Sequence, residues 1–204
     1  MIASNQDQLL ADMIKAIQNG MPYRMAPCLD QGLDINHQTR HSGTALMNAA
    51  LEGNAWMITF LLERGADPNI KDPSQRNCVH YACSSEEVHV SSLEELHKGK
   101  ADLDEVDKDG ETPLSLALHH TFENQGSASK VMLFLLRHGA NPHRVNRQGK
   151  SFLEDFKIYQ KKYASQYHQL IGEELDLYMK MLIQHQDLKW QTPLIASSKR
   201  QNRL

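Results

Sequence analysis

Apolar residues recur along the chain at helical spacing and are followed by a glycine and a short polar loop. The clearest example is LLERGADPN, residues 61–69, where Ile58 adds a third apolar side chain to the face of Leu61 and Leu62. Residues three and four apart share one helix face, so this spacing predicts a helix with a buried stripe. Gly65 predicts its end, because glycine adopts the left-handed conformation of a C-cap at little cost.

The same order of residues returns along the chain at a regular interval. LLRHGANP occupies residues 135–142, and a degraded version, CLDQGLDIN, occupies residues 28–36. A shift of 33 residues superimposes Gly32–Asn36 on Gly65–Asn69, Ala16 on Ala49, and Gly20 on Gly53. Equivalent apolar positions are Met13, Leu46, Val79, Leu114 and Leu153, so the spacing stretches from 33 to 39 residues. Periods of this size predict a solenoid of stacked units, each too small to bury its own apolar face.

The order of turn, helix, glycine, helix and loop resembles the ankyrin repeat. The pattern is a Gly-x-Thr-Pro-Leu turn, an Ala-Ala helix, a Leu-Leu helix and a Gly-Ala-Asp-x-Asn loop. It is complete at residues 42–69, nearly complete at 110–142, and covers about residues 8–186. The resemblance implies an all-α solenoid of helix-turn-helix units with β-turn or loop fingers and elongated C-terminal capping helices.

The repeats predict one domain, residues 1–186, followed by a tail, residues 187–204. The predicted units are approximately 6–38, 39–71, 72–106, 107–145 and 146–186. The tail contains WQTPLIA, residues 190–196, which begins a unit that the chain does not finish.

Three details of the sequence predict local structure. Thr112 is placed to cap a helix that starts with Pro113, where a missing N–H costs nothing. The third unit has Lys100 where others have glycine, so we expect it to be the least stable. In the last unit Phe152, Phe156, Tyr159, Tyr163, Tyr167 and Leu170 fall on one helical stripe. Gly172 is predicted to end this long helix before a second one.

Composition and charge narrow the class of protein. The formal charge of −3 makes a nucleic-acid partner unlikely. Yet twelve basic residues against six acidic ones follow from Arg137, which leaves nucleic-acid binding as a lesser alternative. Three cysteines favour a reducing compartment over a disulfide scaffold. The absence of a run of about 18 apolar residues and of a secretory signal predicts a cytoplasmic protein, without a membrane partner.

Cys78-x-His80-x-x-Cys83 is the metal-like cluster of the sequence. Thiolate and imidazole are good zinc ligands, and a Cys-His pair is also a candidate nucleophile. The repeat register instead predicts that all three side chains are buried. We therefore expect neither a metal nor a catalytic site here, and no small-molecule cofactor.

The resemblance implies a non-enzymatic protein–protein interaction module that binds a protein through the concave groove. The partner is unidentified, and the module is expected to be a monomer. The candidate partner-binding residues are Arg40, His41, Glu52, Trp56, Arg76, Lys108, Asp109, Glu111, His119, His120, Arg147, Lys150 and Tyr159. The fingertip charges alternate in sign along the groove, which predicts complementary patches on the partner.

Two further hypotheses concern activity and setting. An enzyme or modifying factor is the alternative, with its site in the His119–Lys130 insertion or in the C-terminal helices. Degraded repeats and abundant Gln and His favour a bacterial effector that acts on host proteins, in which case the host cytoplasm or nucleus is the site of action.

Overall fold

A computed structural model describes residues 5–39, 43–85, 89–123 and 129–184. Regular secondary structure in these ranges is helical, apart from one isolated bridge between Val145 and Ser151. The helices are α1 (Asn5–Gln18), α2 (Met25–Asp30), α3 (Ala45–Leu51), α4 (Ala55–Glu63), α5 (Cys78–Cys83), α6 (Val90–Lys98), α7 (Pro113–Glu123), α8 (Ser129–Arg137), α9 (Phe152–Lys162) and α10 (Tyr167–Gln184), with a short 3-10 helix (Pro22–Arg24) before α2. The predicted all-α class is confirmed.

The helices form two layers. The odd-numbered helices α1 to α9 pack against one another in chain order, and we call them the inner layer. Helices α4, α6, α8 and α10 stack likewise, and with α2, which packs on α1, they form the outer layer. Each odd-numbered helix and its successor lie in one predicted unit. In the described ranges, no helix is both long and apolar enough to cross a membrane.

Small side chains allow the inner helices to lie close together. Ala49, Ala50, Ala82 and Ala117 are all buried, each with 3% or less of its surface exposed. The larger apolar residues, such as Leu61 and Leu135, fill the space between the layers and are fully buried. The core is therefore continuous from unit to unit, as a solenoid requires.

Side-chain caps fix where the inner helices begin. Thr112 Oγ1 accepts a hydrogen bond from the Ser115 amide at 3.2 Å, directly before Pro113, which confirms the predicted cap. At α9, Ser151 and Glu154 cap each other's main-chain amides. Each cap satisfies an amide that the first helical turn leaves unpaired.

The helix ends follow the predicted glycines, with one exception. Gly65 and Gly139 have φ of 90° and 103°. In the third unit Gly99 keeps φ at −72°, and Lys100 takes the left-handed position with φ of 66°. Close packing explains why glycine stands one residue early, because a Cβ on Gly99 would lie 2.8 Å from Leu62 Cδ1. Lys100 consequently carries backbone strain that the neighbouring units avoid.

A ladder of amide side chains bridges α1 to the loop after α2 and then joins the loops of successive units. In each rung the side-chain nitrogen donates to a main-chain carbonyl of the next loop. The side-chain oxygen accepts from the main-chain amide two residues after that carbonyl. Gln6 bridges Gly32 and Asp34, Asn36 bridges Gly65 and Asp67, and Asn69 bridges Lys100 and Asp102. Asp104 occupies the next place and accepts from the Asn141 amide, but its carboxylate also pairs with Arg144. Burial raises the pKa of Asp104.

The C-terminal helices depart from the prediction. The long helix expected from Phe152 to Leu170 ends at Lys162, and α10 begins only at Tyr167. The Tyr163 amide still bonds to the Tyr159 carbonyl, but Tyr163 itself has left helical geometry. Gly172 does break the backbone, with φ of 73° inside α10. The aromatic stripe was read as one continuous helix face because its spacing alone does not reveal a turn. The tail, residues 187–204, lies outside the described residues.

Candidate functional site

The loops that lead into the inner helices share one turn. We call residues 70–77, 105–112 and 144–151 fingers 3, 4 and 5, after the units that they begin. Asp72, Asp107 and Asn146 occupy the same place in each finger, and the Oδ1 of each accepts two main-chain amide hydrogen bonds. The turn is therefore held by one side chain, and it fixes the direction in which the fingertip points.

Main-chain hydrogen bonds link neighbouring fingers. The Lys108 amide donates to the Ser74 carbonyl at 2.9 Å, and the Arg147 amide donates to the Asp109 carbonyl at 3.0 Å. Arg76 adds a side-chain link, since its Nε lies 3.2 Å from Oδ2 of the buried Asp107. The predicted partner-binding residue Arg76 thus stabilises the fingers.

Four of the predicted fingertip residues are exposed at the surface, namely Lys108, Asp109, Arg147 and Lys150. Glu111 is different, because it is only partly exposed and its Oε1 accepts from Asn146 Nδ2 at 2.6 Å. Its Oε2 is buried and has no hydrogen-bond partner among the described residues. Asp109 and Glu111 therefore do not form one exposed acidic tip. Arg40 and His41 lie outside the described residues.

Beside the fingers, the inner helices present their exposed side, and the two together form the candidate groove. Three predicted residues occupy equivalent places on its floor: Glu52 is exposed, whereas His120 and Tyr159 are partly buried. One residue earlier in the register lie Leu51, with 36% of its surface exposed, and Ile158, with 52% exposed. Both apolar side chains therefore lie at the surface of the candidate groove.

The C-terminal half of the floor is aromatic. The Tyr159 ring stacks on Phe122, with centroids 5.0 Å apart, and Tyr163 stacks on both rings. His119 joins this cluster, with its ring centroid 5.9 Å from that of Tyr159. The Lys162 ammonium lies 5.0 Å from the Tyr163 centroid at the far end. The stack orders these side chains before any partner arrives.

Trp56 lies apart from the other predicted residues. It is on α4, in the outer layer, and 56% of its surface is exposed. Its ring stacks on Phe60, and the Arg64 guanidinium lies 3.5 Å from the Phe60 centroid. These three residues form a separate exposed stripe and do not line the groove.

The cysteine–histidine cluster is part of the core, as the register predicts. Cys78 and Cys83 have 1% or less of their surface exposed, and burial raises the pKa of both thiols. His80 Nδ1 accepts from the Asn77 amide, and Nε2 lies 3.3 Å from the Glu111 carbonyl oxygen. Burial lowers the pKa of His80. Nδ1 thus helps to cap the start of α5, and Nε2 holds finger 4 against that helix.

A search of the described part of the chain gives no group of three or more His, Cys, Asp or Glu residues that could hold a metal ion. Residues 124–128 of the His119–Lys130 insertion lie outside the described residues. His119 itself faces Asp155, with Nε2 3.7 Å from Oδ2.

Sequence reasoning missed Asp155, which is buried beneath this half of the floor. Its register position was a usable signal. Asn48, Tyr81, Leu116 and Asp155 are equivalent in the four units, so a carboxylate stands where the pattern places a groove residue.

A family profile described as "Ankyrin repeats" matches residues 46–146 with three copies. The chain is an ankyrin-repeat protein. Among its relatives, Protein lin-12 of Caenorhabditis elegans is 28% identical over 110 residues, covering 52% of this chain and 8% of that protein. Putative ankyrin repeat protein YahD of Escherichia coli (strain K12) is 26% identical over 180 residues, covering 72% of this chain and 88% of YahD.

The chain spans less than a tenth of the length of lin-12. The potassium channel SKOR of Arabidopsis thaliana is similar in this respect, with 30% identity over 122 residues and 14% of the channel covered. Ankyrin repeats indicate a protein–protein interaction module.

Proposed function

We propose that this ankyrin-repeat protein is a non-enzymatic module that binds a protein partner in the groove between its fingers and its inner helices. The observation that supports the proposal most directly is the exposure of Ile158 on the groove floor. Leu51 and the aromatic cluster extend the same surface. Exposed apolar side chains on an ordered surface favour binding, because little side-chain freedom is lost when a partner covers them.

The surrounding charges favour a partner with mixed charge. Arg147 and Lys150 are exposed on finger 5, whereas Asp109 is exposed on finger 4. Charges at the rim of an interface direct association and orientation more than they add affinity. The partner therefore needs an apolar centre for the floor and charges of opposite sign near these two fingers.

The test is affinity capture with a matched pair of variants. Ile158→Ser removes an apolar side chain from the groove, and Met181→Ser removes one from the outer layer. Each side chain has 52% of its surface exposed, so the two changes have similar effects on folding. We expect partner recovery to fall at least tenfold for Ile158→Ser and to remain within twofold of wild type for Met181→Ser. Equal recovery by both variants would place binding elsewhere.

The biological setting is a finer part of the proposal. The similarity to YahD covers most of that bacterial protein, which supports a bacterial source. The effector hypothesis rests on the degraded repeats and the abundant Gln and His. A translocation reporter fused to the chain, followed in infected host cells, tests this directly. Reporter signal confined to the bacteria would contradict an effector role and leave the binding proposal unchanged.

A further inference from the structure

The Asp155 carboxylate is buried without a hydrogen-bond partner among the described residues. The residue has 8% of its surface exposed. Its nearest ionisable neighbour, His119 Nε2, lies 3.7 Å from Oδ2, which is too far for a hydrogen bond. Carboxylates in proteins are seldom buried unless they are paired, because desolvation of the charge is costly. The carboxylate therefore takes no hydrogen bond from the described residues and has His119 as its ionisable neighbour.

Equivalent positions in the other units do not have this feature. Asn48 donates to the Thr44 carbonyl at 3.0 Å, and the Tyr81 hydroxyl donates to Asp72 Oδ2 at 2.9 Å. Leu116 has no polar side-chain atom. At this position of the repeat the side chain is either hydrogen-bonded, as in Asn48 and Tyr81, or apolar, as in Leu116. Asp155 is the exception.

Aromatic rings border the carboxylate on the groove side. His119 belongs to α7 and Tyr159 to the next turn of α9, and their ring planes are inclined by 53°. Stacking against Phe122 fixes the Tyr159 ring, with an angle of 11° between the planes. His120 Nδ1, on the same helix as His119, is buried and has no hydrogen-bond partner among the described residues. Aromatic rings beside a carboxylate suit a planar cation.

We propose that the slot formed by His119, Asp155 and Tyr159 binds an arginine side chain of the partner protein. This inference rests on the proposed function and names the chemistry recognised at the C-terminal half of the groove. The guanidinium would pair with Asp155 and stack against the Tyr159 ring. Arginine fits better than lysine, because a planar guanidinium stacks on aromatic rings and donates in a fixed fork to a carboxylate.

Lys162, on the same helix as Asp155, does not fill the slot. Lys162 is seven residues along α9 from Asp155, which corresponds to about 10 Å along the helix axis. Its ammonium lies over the Tyr159 and Tyr163 rings, at 5.9 Å and 5.0 Å from their centroids. No ion pair joins Lys162 to a described carboxylate. Lys162 therefore lies at the outer end of the aromatic cluster and does not pair with Asp155.

The experiment is an NMR titration of the isotopically labelled full chain with N-acetyl-arginine amide. The neutral, nearly isosteric N-acetyl-citrulline amide and the cationic N-acetyl-lysine amide serve as comparison ligands. We expect saturable shifts centred on His119, Asp155 and Tyr159 with the arginine amide, and at least tenfold weaker responses with the other two. Equal responses to citrulline amide or lysine amide, or no saturable response to arginine amide, would overturn the proposal.

Two variants control for the site. Asp155→Asn keeps the shape of the side chain and is expected to weaken binding of the arginine amide at least tenfold. Glu63→Gln removes an exposed carboxylate from the outer layer and should leave binding within twofold of wild type. Undiminished binding by folded Asp155→Asn would also overturn the slot. If capture still depends on Ile158 while the arginine amide fails to bind, the arginine slot is wrong and the proposed function stands.

Discussion

The buried Asp107 offers the sharpest test of how the fingers are held. Its Oδ1 accepts from the amides of Asp109 and Glu111 at 2.8 Å and 3.0 Å, and its Oδ2 pairs with Arg76. Only 1% of the Asp107 side chain is exposed. Asp107→Ala would remove all three interactions and leave two finger amides without their acceptor.

The loss in free energy of unfolding depends on the kind of hydrogen bond that Asp107→Ala removes. Hydrogen bonds to charged groups contribute about 1.5–3 kcal/mol each, but the amides of the exposed fingertip recover some bonding to water. We therefore expect Asp107→Ala to lower the free energy of unfolding by about 3 kcal/mol. Asp107→Asn resembles Asn146, which holds finger 5 with the same two amide bonds. It should lose only the partly exposed ion pair, about 1 kcal/mol.

Urea unfolding followed by circular dichroism measures these differences. A double-mutant cycle with Arg76→Ala isolates the ion pair, for which we expect a coupling energy of about 1 kcal/mol. A loss below about 1 kcal/mol for Asp107→Ala would refute the claim that this carboxylate organises the finger. A coupling energy near zero would show that the ion pair with Asp107 does not stabilise the finger, and partner binding would be the remaining role for Arg76.

Three further predictions concern single residues. Lys100→Gly should raise the free energy of unfolding by about 0.5 kcal/mol, because relief of the left-handed backbone exceeds the added chain entropy; thermal unfolding checks this, and a lower Tm would contradict it. Asp155→Asn should raise stability at pH 7 in urea unfolding, since it removes a buried charge that takes no hydrogen bond from the described residues. Burial lowers the pKa of His80 in the folded protein. As the pH falls, His80 is therefore protonated at a higher pH in the unfolded chain than in the folded one. Stability should fall as the pH drops below the unfolded value of about 6.5. A His80→Gln variant should lose less over the same interval, and equal losses would contradict the assignment.

Much of the fold follows from the sequence, because its determinants are local and repeat. Glycine at a helix end, threonine before proline and paired leucines each act within a few residues, so Gly65, Thr112 and Leu61 have their predicted roles. The shared period then gives the stacking order. Lys100 shows the limit, since the left-handed conformation keeps its place in the repeat although the glycine stands one residue earlier, at Gly99.

The candidate site was less predictable, because its geometry depends on contacts between units. Arg76 was read as an exposed fingertip, yet it pairs with Asp107, 31 residues away in the next finger. Trp56 was grouped with the groove from its residue type, but its helix belongs to the outer layer. Asp155 was overlooked because burial and the lack of a partner are properties of the packed groove, and only its register position is visible in the sequence.

Hydroxyl-radical footprinting of the protein with and without its captured partner tests the groove most directly. Ile158 and Met181 are equally exposed and lie on opposite layers, so their oxidation rates report on the two faces. We expect the partner to reduce oxidation of Ile158 and Tyr159 at least threefold and to leave Met181 unchanged. Protection of Met181 or Trp56 without protection of Ile158 would contradict binding in the groove.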